Sequence, residues 1–299
     1  MNLLITGAWR DAERYFTEIE TLGHTVKFLK DEKGEIPCSP AWVEGVICNA
    51  LFLHYPIQEF PNLKYIQLTS AGFDRVPMEY VREHNIAIYN ARGVYSIPMA
   101  EFAVSGALQV YKKSRVFYDV QLRCRWEKQR DLLELCGRNV CIVGCGSVGT
   151  QCAKLFSAFG CHVRGVDIAS REKEWFEMIY PIAALDEALR CSDIVILTLP
   201  LTDETKHLLD GRRLSFMKDG ALLINIARGA VVDQNALEQE IVNNRLFAVL
   251  DVFEEEPLSP ESPLWQADNV ILTPHNSFVG DGNGERLFHV IFGNLKGNI

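Results

Sequence analysis

The sequence predicts an α/β protein of two Rossmann-like domains, each a parallel sheet with helices on both faces. Three observations predict it. Short apolar runs alternate with segments of helical spacing through both halves of the chain. A long helical stretch from Pro98 to about Val120 separates one set of these units from the next. A glycine-rich turn, Gly144-Cys145-Gly146-Ser147-Val148-Gly149, stands between an apolar strand and a helical run.

The elements follow in order. Leu3-Leu4-Ile5 reads as a first strand ending at Gly7. Asp11 to Leu22 has helical spacing, with Tyr15, Phe16, Ile19 and Leu22 on one side. His24 to Leu29, Gly45 to Cys48, Tyr65 to Leu68 and Ile86 to Tyr89 read as four further strands. Strands separated by helical segments imply parallel pairing with crossover helices. Pro98 suits a first helical turn, and Ala100, Ala103, Val104, Ala107, Leu108 and Tyr111 share the apolar face of the long helix. Six strands follow: Val140 to Val143, Val163 to Val166, Ile194 to Leu197, Ala221 to Ile224, Ala248 to Leu250 and Val270 to Leu272. They are short and apolar throughout, as strands covered on both faces should be.

A length of 299 residues suggests two domains. A formal charge of -9 argues against a nucleic-acid partner, although a local arginine still allows an anionic substrate. No apolar run approaches the ~18 to 20 residues of a membrane span. The start, Met1 to Gly7, lacks the basic region and long apolar core of a signal peptide, so a cytoplasmic protein is expected. The nine cysteines lie mostly in apolar runs without a metal-type CxxC pair. They read as buried free thiols in a reducing compartment, and no metal site is expected.

The glycine turn has the context that a dinucleotide-binding motif requires. A strand precedes it, a helical run from Thr150 to Phe159 follows, and a second strand ends at Asp167. Gly144 permits the tight turn, Gly146 lets backbone approach a pyrophosphate, and Gly149 lets helix and strand pack closely. The amides of Ser147 and Val148 open the helix, where unpaired N–H groups favour phosphate. Asp167 can accept bonds from the adenosine ribose hydroxyls and would repel a 2′-phosphate. NAD (NADH) is therefore expected in preference to NADP, with Arg164 and Arg171 keeping NADP in view.

Arg228, Glu256 and His275 each follow a strand, and ligands bind beyond the carboxyl ends of strands in open parallel sheets. Hydride transfer to a keto group needs a cation for the substrate carboxylate, an acid for the developing alkoxide, and a group that keeps this acid protonated. Arginine suits the first, histidine the second and a neighbouring carboxylate the third.

Several segments together resemble the D-isomer-specific 2-hydroxyacid dehydrogenase family. They are Ser70-Ala71-Gly72-Phe73-Asp74, Pro98-Met99-Ala100-Glu101, the glycine turn, Leu199-Pro200-Leu201-Thr202 with Thr205, Arg228-Gly229, Glu256-Pro257 and Pro274-His275. The resemblance implies a cofactor domain inserted into a flavodoxin-like substrate domain. Residues 1–97 with 280–299 would form the substrate-binding domain, and 98–279 the NAD-binding Rossmann domain. It implies Arg228 as the substrate-binding and activating residue, His275 as the acid/base, and Glu256 as the histidine's partner. Backbone at Ala71 and Gly72 would bind the substrate carboxylate. Asp251 would hold the nicotinamide carboxamide, and Thr198, Leu199, Pro200, Thr205, Ile226 and Ala227 would line the cofactor cleft. The family commonly forms homodimers, partly through the long helix after Pro98.

Two departures stand out. The chain ends at Asn298-Ile299, soon after a helical run near Arg286 to Leu295, a shorter return than the family usually has. His275 is followed by Asn276-Ser277-Phe278 in place of a small, glycine-rich stretch, which changes the pocket wall. The formate dehydrogenase branch resembles this segment with glutamine where Glu256 stands, which counts against that branch. The leading expectation is an NAD-dependent oxidoreductase interconverting a small 2-keto acid and its D-2-hydroxy acid. The alternative is an NAD(H)-binding regulatory or scaffold protein on the same fold. Tyr95, Ser96, Phe278 and residues near His54 and Tyr55 are candidate pocket walls.

Overall fold

The computed structural model describes residues 1–169 and 173–297. The chain divides into two compact units, Met1–Tyr95 with Gly280–Ile299, and Ser96–Val279.

In the first unit the strands are β1 (Asn2–Thr6), β2 (Thr25–Leu29), β3 (Gly45–Cys48), β4 (Tyr65–Leu68) and β5 (Ala87–Tyr89). They form a parallel sheet in the order β2-β1-β3-β4-β5. Successive residues serve opposite cores. Leu4, Val46, Cys48, Ile66 and Leu68 pack with Val81 of helix α2 (Met78–Glu83). Leu3, Ile5, Ile47 and Tyr65 pack with Ile19 of α1 (Phe16–Thr21) and with Leu287, Ile291 and Leu295 of the C-terminal helix Asn283–Lys296. The stretch expected as one helix from Asp11 is a short 3-10 turn, Ala12–Tyr15, leading into α1. Helix α2 escaped the sequence reading because six residues are too few to show a period.

The second unit has seven parallel strands: β6 (Asn139–Val143), β7 (His162–Asp167), β8 (Met178–Pro181), β9 (Ile194–Leu197), β10 (Leu222–Asn225), β11 (Phe247–Leu250) and β12 (Val270–Leu272). Their order is β12-β11-β10-β9-β6-β7-β8, so the direction of winding reverses between β6 and β9. Here too alternation splits the strands between two cores. Val140, Ile142, Ile194 and Ile196 face Ala100, Ala103 and Ala107 of α3 (Ser96–Tyr111) and Phe156 of α5 (Ser147–Ala158). Cys141, Val143, Val195 and Leu197 face Leu185 and Leu189 of α6 (Leu185–Cys191), Leu214 of α7 (Gly211–Leu214), and Leu237 and Ile241 of α8 (Gln234–Val242).

The long helix expected from Pro98 to Val120 is broken. It ends at Tyr111 and resumes as α4 (Ser114–Leu122), with Lys113 between them in the left-handed region at φ 52. Lys113 Nζ lies 2.5 Å from an oxygen of Asp131, and Leu133 N–H donates to Tyr111 O, so the chain after α4 returns to pin the break. Strand β8 was not anticipated. It is an edge strand of mixed exposure ending in proline, without an apolar run to announce it. Of the nine free cysteines, Cys48, Cys141, Cys145, Cys152 and Cys161 are buried, whereas Cys124, Cys136 and Cys191 are exposed against the sequence expectation. Among the described residues no helix is long and apolar enough to cross a membrane, and no group of side chains could hold a metal ion.

Candidate active site

The glycine turn lies at the reversal point of the second sheet. Gly144 follows β6 with φ 94, and a Cβ there would sit 2.8 Å from Leu199 backbone. At Gly149 a Cβ would come within 2.2 Å of Gly144 O. Both positions therefore exclude side chains for reasons internal to the fold. Gly146 differs, since nothing lies within 4 Å of where its Cβ would stand. It caps α5 without a side-chain bond, and the first helical amides lack intrahelical acceptors. An open glycine beside unpaired N–H groups fits a dinucleotide pyrophosphate.

Thr198 and Leu199 close the turn from the β9 side. Thr198 Oγ1 donates to Gly144 O at 2.6 Å. Pro200 O accepts from Thr205 Oγ1 at 2.8 Å, and the same hydroxyl accepts from Thr202 N–H, so this loop is knit to itself. Asp167 ends β7, with Oδ2 accepting from Cys145 N–H at 2.6 Å and Oδ1 from Ala169 N–H at 3.0 Å. It is thus a brace of the turn, a task its position in the sequence did not reveal. Arg164 lies 3.6 Å from Glu177, towards edge strand β8. Arg171 falls outside the described residues.

Three segments at the carboxyl ends of β10, β11 and β12 interlock. Ile226 and Ala227 are buried, Ile226 within the apolar core. Arg228 is extended and half-buried, with Nη1 donating to Ala227 O at 2.8 Å. The amide of buried Asn225 accepts from Ala227 N–H and donates to Arg228 O, fixing this turn. A Cβ on Gly229 would overlap Phe253 backbone at 1.8 Å, so the arginine turn packs directly on the segment leading to Glu256.

Asp251 is fully buried. Its Oδ1 accepts from Thr273 Oγ1 and Asn276 N–H, both at 2.7 Å, and Oδ2 accepts from Ser277 N–H at 2.9 Å. Its carbonyl accepts from His275 N–H at 2.8 Å. His275 has φ 51, a strained conformation for a non-glycine residue that persists only where surrounding bonds over-determine it. Asp251 supplies those bonds. His275 Nδ1 lies 2.8 Å from Glu256 Oε2, while Glu256 Oε1 accepts from Phe253 N–H at 3.1 Å. A carboxylate only accepts, so Nδ1 carries the hydrogen and Nε2 is the ring's other face. Of the three consecutive glutamates, only Glu256 meets the histidine. Glu254 accepts from Gln234 N–H instead, and Glu255 is exposed. The Phe278 ring stands edge-on to His275 with centroids 6.0 Å apart.

Sequence reasoning missed Asn225 and Thr273, whose side chains bond to backbone or to another side chain. A buried asparagine ending an apolar strand is the one available signal for the first. Ala71 and Gly72 belong to the first unit, on the loop after β4. Asn90 Nδ2 donates to Ala71 O at 2.6 Å, and Ser70 Oγ donates to Gly72 O at 3.2 Å. Tyr55, a candidate wall, instead donates its hydroxyl to Gly34 O.

Residues 104–277 match the model of the D-isomer specific 2-hydroxyacid dehydrogenase NAD-binding domain. The chain belongs to the D-isomer-specific 2-hydroxyacid dehydrogenase family. Its members are oxidoreductases, and so is this chain. A glyoxylate reductase of Thermofilum pendens is 38% identical over 225 residues, which is 72% of this chain and 66% of that protein. Among solved structures, a D-lactate dehydrogenase from Aquifex aeolicus, complexed with NAD and lactic acid, superimposes with a TM-score of 0.82 at 27% identity, covering 99% of this chain and 95% of the other. A family member from Xanthobacter autotrophicus Py2, in complex with NADPH, gives 0.79 at 26% identity over 99% and 95%. Both of those complexes hold a nicotinamide cofactor.

Proposed function

We propose that this dehydrogenase interconverts a small 2-keto acid and its D-2-hydroxy acid with NAD(H), preferring it to NADP(H). The observation that carries the reading is the 2.8 Å contact between His275 Nδ1 and Glu256 Oε2. It forms beside the arginine turn on the edge of a sheet that also holds the glycine turn. Residues 98–279 serve the cofactor and 1–97 with 280–299 the substrate, and the protein acts as a homodimer in the cytoplasm.

When bound, the reduced nicotinamide supplies the hydride. Arg228 offers a planar fork that pairs with the substrate carboxylate and draws electron density from the adjacent carbonyl. The protonated imidazole of His275 gives its Nε2 proton to the carbonyl oxygen as the carbon is reduced, and takes it back in oxidation. Glu256 balances the imidazolium charge and fixes the ring through Nδ1. Backbone at Ala71 and Gly72 also binds the carboxylate, and Asp251 serves the carboxamide beside its bonds to the His275 loop. Asp167, ending β7, favours an unphosphorylated ribose.

The test is NADH oxidation at 340 nm against glyoxylate, pyruvate, hydroxypyruvate, 2-ketoisocaproate and phenylpyruvate. Turnover of at least one is expected, with D-configured product. Tight NADH binding without turnover across a wider panel would favour a regulatory or scaffold role. Asp167→Ala should narrow the preference for NADH over NADPH, and an unchanged ratio would remove the role given to that carboxylate.

A further inference from the structure

Two peptide units of the glycine turn are each held from outside. The first joins Gly144 to Cys145: its carbonyl accepts from Thr198 Oγ1, and its N–H donates to Asp167 Oδ2. The second joins Cys145 to Gly146, and its carbonyl accepts from Lys173 Nζ. The Cys145 side chain is itself sealed in. It is fully buried beneath β7, where a Cβ on Gly165 would meet Cys145 Sγ at 2.3 Å. Burial pushes that thiol up to about 12, leaving it a neutral packing group.

We infer that Lys173 is a positioning residue for the dinucleotide, fixing the Cys145–Gly146 peptide so that its N–H faces the pyrophosphate. A trans peptide points its C=O and N–H to opposite sides. With the carbonyl held by the ammonium, the Gly146 N–H is turned the other way. Glycines flank Cys145 on both sides, so rotation of this peptide meets little steric resistance. A rotated peptide would present its carbonyl where the N–H stood and repel a phosphate. The first peptide is held at its carbonyl by Thr198 and at its N–H by Asp167, whereas the second is held at its carbonyl by Lys173. The bond is charge-assisted, the stronger kind. Lysine is also long enough to hold the peptide from outside the turn without filling the space over Gly146.

This inference rests on the nicotinamide-cofactor reading, and binding measurements separate the two. The full chain is titrated with NADH, following fluorescence, and with ADP by calorimetry. Lys173→Met should raise both dissociation constants by about tenfold, as expected for losing one charged hydrogen bond. Lys173→Arg should restore them to within about threefold, because it replaces the donor. At saturating NADH, kcat should stay within about twofold of the unaltered protein, so the loss appears in KM. A role confined to folding would instead lower the melting temperature without this split or the rescue. If the methionine variant does not fold, Lys173→Gln, a neutral and shorter donor, should weaken binding more than arginine does, by up to about tenfold. Unchanged dissociation constants in the methionine or glutamine variant, a loss in kcat alone, or no rescue by arginine would each overturn the inference. Failure of the unaltered protein to bind NADH would overturn the cofactor reading instead.

Discussion

In the first unit the turn after β1 runs Gly7-Ala8-Trp9, and in the second the turn after β6 runs Gly144-Cys145-Gly146. Both leave the first strand of a parallel sheet on the side where ligands bind in this architecture. A Cβ on Gly7 would strike Lys30 O at 2.0 Å, so that glycine serves the meeting of two backbones. The indole of Trp9 then fills the turn, buried and stacked on Tyr15, which stacks on Phe288 of the C-terminal helix. A short 3-10 turn follows where the second unit starts a helix. An acid stands near the end of the second strand in both units, Glu32 beyond β2 and Asp167 as the last residue of β7. Glu32 accepts from Asn49 N–H, Ala50 N–H and Thr6 Oγ1, closing the edge of its sheet. Asp167 braces a turn whose next glycine remains open. The same topology is sealed in one unit and left receptive in the other, by the residue two places after the first glycine: Trp9 against Gly146.

The largest way to test this contrast lies at the reactive edge of the second unit. His275→Ala should lower turnover by about 10² to 10⁴ while NADH still binds, because only the proton donor is removed. Unchanged turnover would place the acid elsewhere. Next, Gly146→Val should weaken NADH binding by about tenfold or more, since a branched side chain would occupy the space a phosphate needs. Its melting temperature should hold, because nothing in the fold lies near that Cβ. Gly7→Ala should do the reverse, destabilising the fold by about 1–3 kcal/mol with no direct effect at the glycine turn. If both variants behaved alike, the contrast between the units would fail.

A smaller effect is expected from Glu256→Gln. The carboxylate accepts from Nδ1 and fixes the ring, so its loss should lower turnover by about tenfold, less than loss of the imidazole itself. Unchanged turnover would sever Glu256 from His275 in function despite their contact. The smallest effect is chemical. Burial pushes the thiols of Cys141, Cys145 and Cys152 up to about 12, whereas Cys124, Cys136 and Cys191 are exposed. A thiol reagent at neutral pH should label the exposed group first and leave activity intact until the protein unfolds. Early modification of Cys145 would show that the turn opens.

Much of the fold was legible because buried parallel strands are written as uninterrupted apolar runs: Ile194 to Leu197 and Leu222 to Ile224 admit little else. Strand β8 was not, since an edge strand has one neighbour and needs no such run. Nor was the break at Lys113, whose cause is the return of Asp131 and Leu133 to the helix end, a tertiary event. At the site, the residue types Arg228, Glu256 and His275 were readable from their chemistry. The choice of Glu256 over Glu254 came from resemblance, and in the structure it corresponds to a single contact. The braces supplied by Asp167 and Lys173 lay out of reach because each bonds to backbone remote in sequence, and that of Asn225, though local, also goes to backbone, which carries no letter in a sequence.

The clamp on Asp251 has a consequence for how the His275 loop behaves in time. The amides of His275, Asn276 and Ser277 all donate to Asp251, two of them to its buried carboxylate. In deuterated solvent these three should exchange on the slow scale of the strands they follow, although no strand contains them. The histidine then sits on a segment that opens with the sheet edge and not ahead of it, so that its lifetime in place is governed by the core beneath.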